Sequence, residues 1–249
     1  MSDEPIIDIA NVFGVGQLRQ TLNLERATLV ENGPRDVSPA QQAARDVAEA
    51  VRRLTRELES TSASIHELGA LEADLDRLRR ALSESDRTET AEGGATDGVY
   101  HAHRLRERSP FIGQANPVAL PLTMEFVEGG IDAVANFGTL YEGPPGCLHG
   151  GYIAGIFDEV LGTAQTFSGH VGMTGRLTIH YRSPTPLNTD LHLRARFESV
   201  RGRKILCKGT LHAGDRLCAE AEGLFISVDL KKFMALEANA QRQKGNEKA

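Results

Sequence analysis

The sequence predicts an α+β fold: an antiparallel sheet wrapped round one long helix, preceded by a helical hairpin. Three observations carry this. Most of the chain after residue 100 alternates apolar and polar residues with period two, as in Leu191, Leu193, Ala195 and Phe197 against His192, Arg194, Arg196 and Glu198. Within that region one stretch breaks the alternation: Ile153, Ile156, Phe157, Val160, Leu161 and Ala164 fall at the i, i+3, i+4, i+7, i+8, i+11 spacing of a core-facing helix. Twelve of the thirteen aromatic residues lie at or after Tyr100, which separates this region from the one before it. The expected division is a poorly patterned segment 1–37, a helical hairpin with its linker over 38–98, and the sheet domain over 99–249.

Residues 1–37 offer breakers at Gly14, Gly16 and Gly33-Pro34 and no clear period. Ser38-Pro39-Ala40-Gln41 then supplies an N-cap, a proline at the first helical position and a capping glutamine. Val47, Val51, Leu54 and Leu58 follow at helical spacing. After a serine-rich break, Ser64 and Glu67 form a second capping box ahead of Ile65, Leu68, Leu71, Leu75, Leu78 and Leu82. Two helices in a hairpin are expected, with one continuous coiled-coil strand as the alternative, because the heptad phase nearly survives the break. Either arrangement wants a partner, and the dense opposite charges on the other faces read as solvated surface. Residues 83–97 read as linker.

In the second region Leu122, Met124 and Phe126 alternate, Gly129-Gly130 turns the chain, and Ile131, Ala133, Ala135 and Phe137 return. After the helix come strands around Leu177–Tyr181, Leu191–Phe197, Ile205–Leu211 and Leu217–Val228, with turns at Pro184-Thr185-Pro186, Arg201-Gly202 and Gly214-Asp215. A single helix is all that can cover such a sheet, so one sheet face stays partly open, and pairing with a second copy is expected to close it.

The 249 residues can bury one good core and a second small unit. A net charge of −6 offers no basic field for nucleic acid, so none is expected as a partner. The three cysteines, Cys147, Cys207 and Cys218, are odd in number and scattered, and no secretory leader is read ahead of them, so a reducing cytoplasm is expected. No run approaches the roughly 18 apolar residues of a membrane span.

The chemistry concentrates between Glu142 and Gly162. Glu142-Gly143-Pro144-Pro145-Gly146-Cys147-Leu148-His149-Gly150-Gly151 is a glycine- and proline-rich loop that feeds the helix, so it delivers bare backbone amides at a helix start. Those first N–H groups lack intrahelical acceptors, and the macrodipole adds partial positive charge, so an oxygen gaining negative charge is held well there. Asp158 lies outside the apolar stripe, on a neighbouring one made of Gly151, Ala154, Gly155 and Gly162, where small residues leave room for another backbone or a thin substrate. Glu159 is about 100° further round, so Asp158 is the candidate acid/base group. Turn chemistry and a solvated helix face are the plain alternatives for these same residues.

The segment 143–228 resembles the hotdog-fold acyl-CoA thioesterases, and within them the PaaI-like branch. Gly146-Cys147-Leu148-His149-Gly150-Gly151, the acid nine residues after His149, and Gly172-Met173-Thr174-Gly175-Arg176-Leu177-Thr178-Ile179-His180-Tyr181-Arg182-Ser183-Pro184 fall in that family's order. The resemblance implies hydrolysis of an acyl-CoA thioester without a cofactor. In that scheme the Gly150 amide binds the thioester carbonyl, His149 shapes the loop, and Asp158 is nucleophile or general base. Thr174 orients the attacking species, and Gly151, Arg182 and Ser183 lie against the substrate. It also implies a homodimer or dimer of dimers, with the glycine loop and the acid of one site coming from different subunits. One departure stands out: Gly143 occupies the place, six residues before the histidine, where many family members carry Asn or Gln.

Other candidates are weaker. Cys147 reads as a packing residue, His180 and His192 as surface residues, and His101 and His103 lack companion ligands, so no metal is expected. Arg201, Arg203 and Lys204 join Arg182 as cations that could meet the coenzyme's phosphates or simply solubilise turns. A hotdog hydratase or dehydratase and a non-catalytic acyl-CoA binder or scaffold are the competing functions.

Overall fold

The computed structural model describes residues 37–84, 107–170 and 172–228. Two helices come first, α1 (Pro39–Ser60) and α2 (Ile65–Glu84). Each opens on the expected capping box: Ser38 Oγ accepts from the Gln41 amide while Gln41 Oε1 accepts from the Ser38 amide, and Ser64 and Glu67 repeat the exchange. Thr61 leaves α1 in an extended conformation, so the helices are separate and not one strand. α2 runs through Ser83 to Glu84, past the expected start of the linker; the rest of that linker lies outside the described residues.

The helices do not close on each other. α2 has no buried residue, and the single buried residue of α1 is Ala48. Instead α1 turns its polar side to the body. Arg45 forks onto Glu107 at 3.0 and 2.5 Å, Arg52 donates to the carbonyls of Asn116 and Gln114, and Glu59 accepts from Thr139. Residues 107–116 present a carboxylate and carbonyls that need donors, and arginines meet that need better than the apolar stripe. Val47, Val51 and Leu58 consequently stay exposed.

The sheet comprises β1 (Leu122–Val127), β2 (Gly130–Ala135), β3 (Gly172–Tyr181), β4 (Leu191–Arg201), β5 (Lys204–Ala213) and β6 (Arg216–Ser227), in the order β1-β2-β4-β5-β6-β3, every neighbour antiparallel. Gly129, with φ +69°, makes the tight turn between β1 and β2. Helix α3 (Gly150–Ala164) lies in the curve of the sheet and buries Ile153, Ile156, Phe157, Val160, Leu161 and Ala164, the stripe expected from the sequence. It comes close because Gly209 has no side chain; a Cβ there would lie 3.3 Å from Leu161 and 3.4 Å from Phe157. This is the hotdog architecture, with an N-terminal helical region added.

Among the described residues β3 is an edge strand bonded only to β6, and Met173 to Arg176 are all exposed. The ladder shifts register between Thr174 and Arg176, a bulge that re-aims side chains near α3. A ten-residue edge of this kind is a template for another strand.

Candidate active site

The loop ahead of α3 is held from both sides. His149 N–H donates to the Tyr141 carbonyl, Leu148 N–H to the Thr185 carbonyl and Leu187 N–H to the Gly146 carbonyl. The Tyr141 ring packs edge-on between Phe137 and Tyr152, with centroids 5.1 and 5.0 Å away, and this burial pushes its phenol pKa up. Gly146 takes φ +72° and donates its amide to the Glu142 carboxylate at 2.6 Å. The start of α3 is thereby fixed in place before any ligand arrives.

His149 is the N-cap, and its Nδ1 accepts from the Gly151 amide at 3.0 Å. An accepting Nδ1 places the ring proton on Nε2. The Gly151 amide is therefore used in capping, whereas the Gly150 amide has no acceptor among the described residues. Tyr181 at the end of β3 donates its hydroxyl to the Gly150 carbonyl at 3.0 Å, and its ring would lie 3.5 Å from a Cβ at Gly150. Tyr181 is a site residue that sequence spacing does not single out, although it stands inside the 172–184 motif. A hydroxyl at the end of the strand following the helix is the signal that marks it.

Gly143 has a steric reason. A Cβ there would meet His149 Cα at 2.8 Å and His149 Cβ at 3.2 Å, so this loop has no room for the Asn or Gln that the resemblance would have placed there. At Gly155 a Cβ would lie 2.5 Å from the Phe111 ring. The space along the small-residue stripe is therefore filled at that point by Phe111, not left for a backbone or a substrate.

Asp158 is exposed two turns below Gly150, and Thr174 Oγ1 donates to its Oδ1 at 2.8 Å. The sheet thus touches α3 twice through β3, with Tyr181 at Gly150 and Thr174 at Asp158. Eight residues separate the open amide from the carboxylate, about 12 Å along the helix axis. A carbonyl under attack needs its oxyanion donor and its attacking group each within about 3 Å. One chain cannot supply both to the same carbonyl.

The remaining candidates are engaged elsewhere. Arg182 pairs with Glu220, whose carboxyl it holds below the ordinary range, and Ser183 Oγ donates to the Leu217 carbonyl at 2.7 Å. Arg203 donates to the Ser227 carbonyl at 3.2 Å. His180 and His192 are exposed on their strands and Cys147 is half-buried, while His101 and His103 lie outside the described residues. Among the described residues no three His, Cys, Asp or Glu side chains gather as a metal site, and no helix is long and apolar enough to cross a membrane.

The likeness to known proteins falls on these same elements. Residues 145–220 match the family model described as Thioesterase superfamily. Acyl-coenzyme A thioesterase THEM4 from Xenopus laevis is 36% identical over 93 residues, which are 36% of this chain and 42% of that protein. The Mus musculus THEM4 is 38% identical over 93 residues, 40% of its length. The chain thus spans less than half of the curated relatives it matches. A crystal structure of a thioesterase superfamily protein superposes with a TM-score of 0.66 at 30% identity, covering 77% of this chain and 92% of that one. That coverage reaches beyond the sheet into the N-terminal part, and at 30% identity over most of that structure it is decisive: the chain belongs to the thioesterase superfamily.

Proposed function

We propose that the protein hydrolyses acyl-CoA thioesters in sites shared between two subunits, the Gly150 amide of one protomer facing the partner's Asp158. The observation that carries this reading is a separation along α3: an unused amide at the helix start and a threonine-bound carboxylate two turns away, too far apart to serve one carbonyl within one chain. The open edge of β3, beside Thr174, offers the surface on which a second copy would bring the complementary half. The relatives named as acyl-coenzyme A thioesterases support the substrate class.

In the general-base route Asp158 takes a proton from water, and the oxygen attacks the thioester carbon. Negative charge moves to the carbonyl oxygen, where the Gly150 N–H and the helix dipole hold it. Collapse breaks the C–S bond; the coenzyme leaves as thiolate, which recovers a proton to give the thiol beside the free acid. Thr174 occupies Oδ1 of Asp158, so Oδ2 is the oxygen left for water. In the nucleophilic route Asp158 itself attacks, expels the thiolate and forms an anhydride that water opens. Single turnover in ¹⁸O-water identifies the nucleophilic route when label enters Asp158, through attack of water on the aspartyl carbonyl; label confined to the product acid follows both from the general-base route and from attack of water on the acyl carbonyl of the anhydride.

Thiol release from a panel of acyl-CoAs differing in length and aromaticity tests the proposal. Turnover of at least one of them, abolished at Asp158, is the expected result. Tight binding of every acyl-CoA with no thiol release would make the protein a binder.

A further inference from the structure

Helix α2 carries a leucine seam that the described residues of its own chain leave bare. Leu68, Leu75, Leu78 and Leu82 are 38%, 40%, 56% and 71% exposed, and α2 buries no residue against the described body. Their 3–4–3–4 spacing with Leu71 is a heptad seam, with Leu68, Leu75 and Leu82 at a and Leu71 and Leu78 at d. The charges beside and behind the seam pair along the helix itself, Asp74 with Arg77 and Asp76 with both Arg79 and Arg80. In proteins most helical stability comes from packing an apolar face, so a seam of five leucines calls for a facing helix.

The flanking charges decide which helix. At the e positions stand Glu72 and Arg79, and at the g positions Glu67, Asp74 and Ala81. Parallel pairing of two copies sets Glu67 against Glu72 as often as Asp74 against Arg79. Antiparallel pairing with Leu68 opposite Leu78 and Leu71 opposite Leu75 sets Glu72 against Glu72 and Asp74 against Asp74. A shift by one heptad, with Leu71 opposite Leu82 and Leu75 opposite Leu78, sets Glu72 against Arg79 twice and Asp74 against Ala81. It has four all-leucine layers and no like-charge contact. Arg79 now bonds Asp76 at 3.1 Å from a 68% exposed side chain, and its long stem can turn to the new partner.

We propose that α2 is a self-association element that pairs antiparallel with α2 of a second copy, in the register that places Leu75 against the partner's Leu78 and Glu72 against the partner's Arg79. The proposal is independent of the thioesterase reading, since it uses no residue of the site.

Cross-linking of the full-length chain tests it in a Cys147→Ser background, the other two cysteines being buried. Differently tagged Leu75→Cys and Leu78→Cys chains are mixed and treated with a short bismaleimide. The expected product is the mixed covalent dimer, whereas Leu75→Cys mixed with Leu82→Cys gives little. Glu72→Arg or Arg79→Glu alone should lose most of the product, and the double swap Glu72→Arg/Arg79→Glu should restore it. Residues 72 and 79 lie about 10 Å apart on their own helix, so restoration reports a contact between chains. Circular dichroism of each variant confirms that the helices remain. Absence of the 75–78 product, or a yield indifferent to both single swaps, overturns the proposal. So does flotation of the wild-type chain with phosphatidylglycerol vesicles that Leu75→Glu/Leu78→Glu abolishes, if no cross-link forms; that result assigns the seam to a membrane surface.

Discussion

Thr174 Oγ1 donates to Asp158 Oδ1 at 2.8 Å, joining the edge strand to the central helix at an exposed carboxylate beside the apolar stripe. Losing a hydrogen bond to a charged group removes about 1.5–3 kcal/mol, so Thr174→Val should lower kcat roughly ten- to a hundredfold with KM little changed. Asp158→Asn keeps the shape but can neither attack nor take a proton, and a loss of about 10²–10⁴ in kcat is expected. Glu159→Gln should stay within about twofold of wild type. Steady-state kinetics on all three decide the matter; equal losses at Asp158 and Glu159 would remove Asp158 from its role.

Gly143→Asn should harm the protein although the resemblance leads one to expect a polar residue at this place. The new Cβ would meet His149 Cα at 2.8 Å, and overpacking of this kind costs about 1–3 kcal/mol. For a chain of this size that lowers Tm by roughly 2–12 °C. Gly143→Ala should show much of the same loss, because the first side-chain carbon is already the obstacle. Differential scanning calorimetry checks both, and an asparagine variant as stable as wild type and faster would contradict the steric account.

How far the sequence could be read depended on the range of the interaction. The buried stripe from Ile153 to Ala164, the two capping boxes and the Gly129 turn are local patterns, and each is found where spacing placed it. Asp158 was legible as the acid among the small residues beside the stripe. The hydrogen bonds that set up the site and dock α1 join distant residues: Tyr181 to Gly150 across 31 positions and Arg45 to Glu107 across 62. No period carries such information. The docking of α1 even runs against the local signal, because the apolar stripe that suggests a core-facing side is turned outward once Glu107 and the Asn116 carbonyl recruit arginines.

Removal of residues 1–98 should leave a folded, active sheet domain. Truncation breaks polar interactions at or near the surface, Arg45 with Glu107, Arg52 with two carbonyls and Glu59 with Thr139, and removes the buried Ala48. Exposed pairs contribute about 0–1 kcal/mol each; the Arg45–Glu107 pair is half-buried, but removing α1 re-solvates Glu107 and so leaves no charge buried alone. A drop of a few degrees in Tm is the expected size. Gel filtration and thermal unfolding of the fragment provide the check; an aggregated product would mean that the helices complete the core.

Alkaline stability should depend on Cys207. Burial, helped by Glu198, pushes its thiol up to about 12 from an ordinary value of 9.0. The folded state therefore favours the neutral thiol. Its contribution is fully present below pH 9 and is lost as the pH rises toward 12, because the unfolded chain ionises first. Urea unfolding between these limits should show a shallower decline for Cys207→Ala than for wild type. Iodoacetamide at mildly alkaline pH should label half-buried Cys147 first and Cys207 only on unfolding. Early labelling at Cys207 would show that the site is open to solvent.

The shared site has its own test in mixed dimers. Subunits carrying Asp158→Asn are combined with subunits carrying Gly150→Pro, which removes the amide proposed to bind the carbonyl oxygen and should lower the rate by about 10²–10³. Each homodimer is then nearly inactive. In a mixed dimer one site draws a sound loop and a sound acid from different chains, and the other collects both defects. Random reassortment of equal amounts makes half the dimers mixed and half of their sites whole, so about a quarter of the wild-type activity should return. Mass spectrometry must first confirm subunit exchange, and circular dichroism that the proline variant is folded. Activity that then stays at the level of the separate variants would mean that each chain holds a complete site, against the distance of about 12 Å that separates Gly150 from Asp158 along α3.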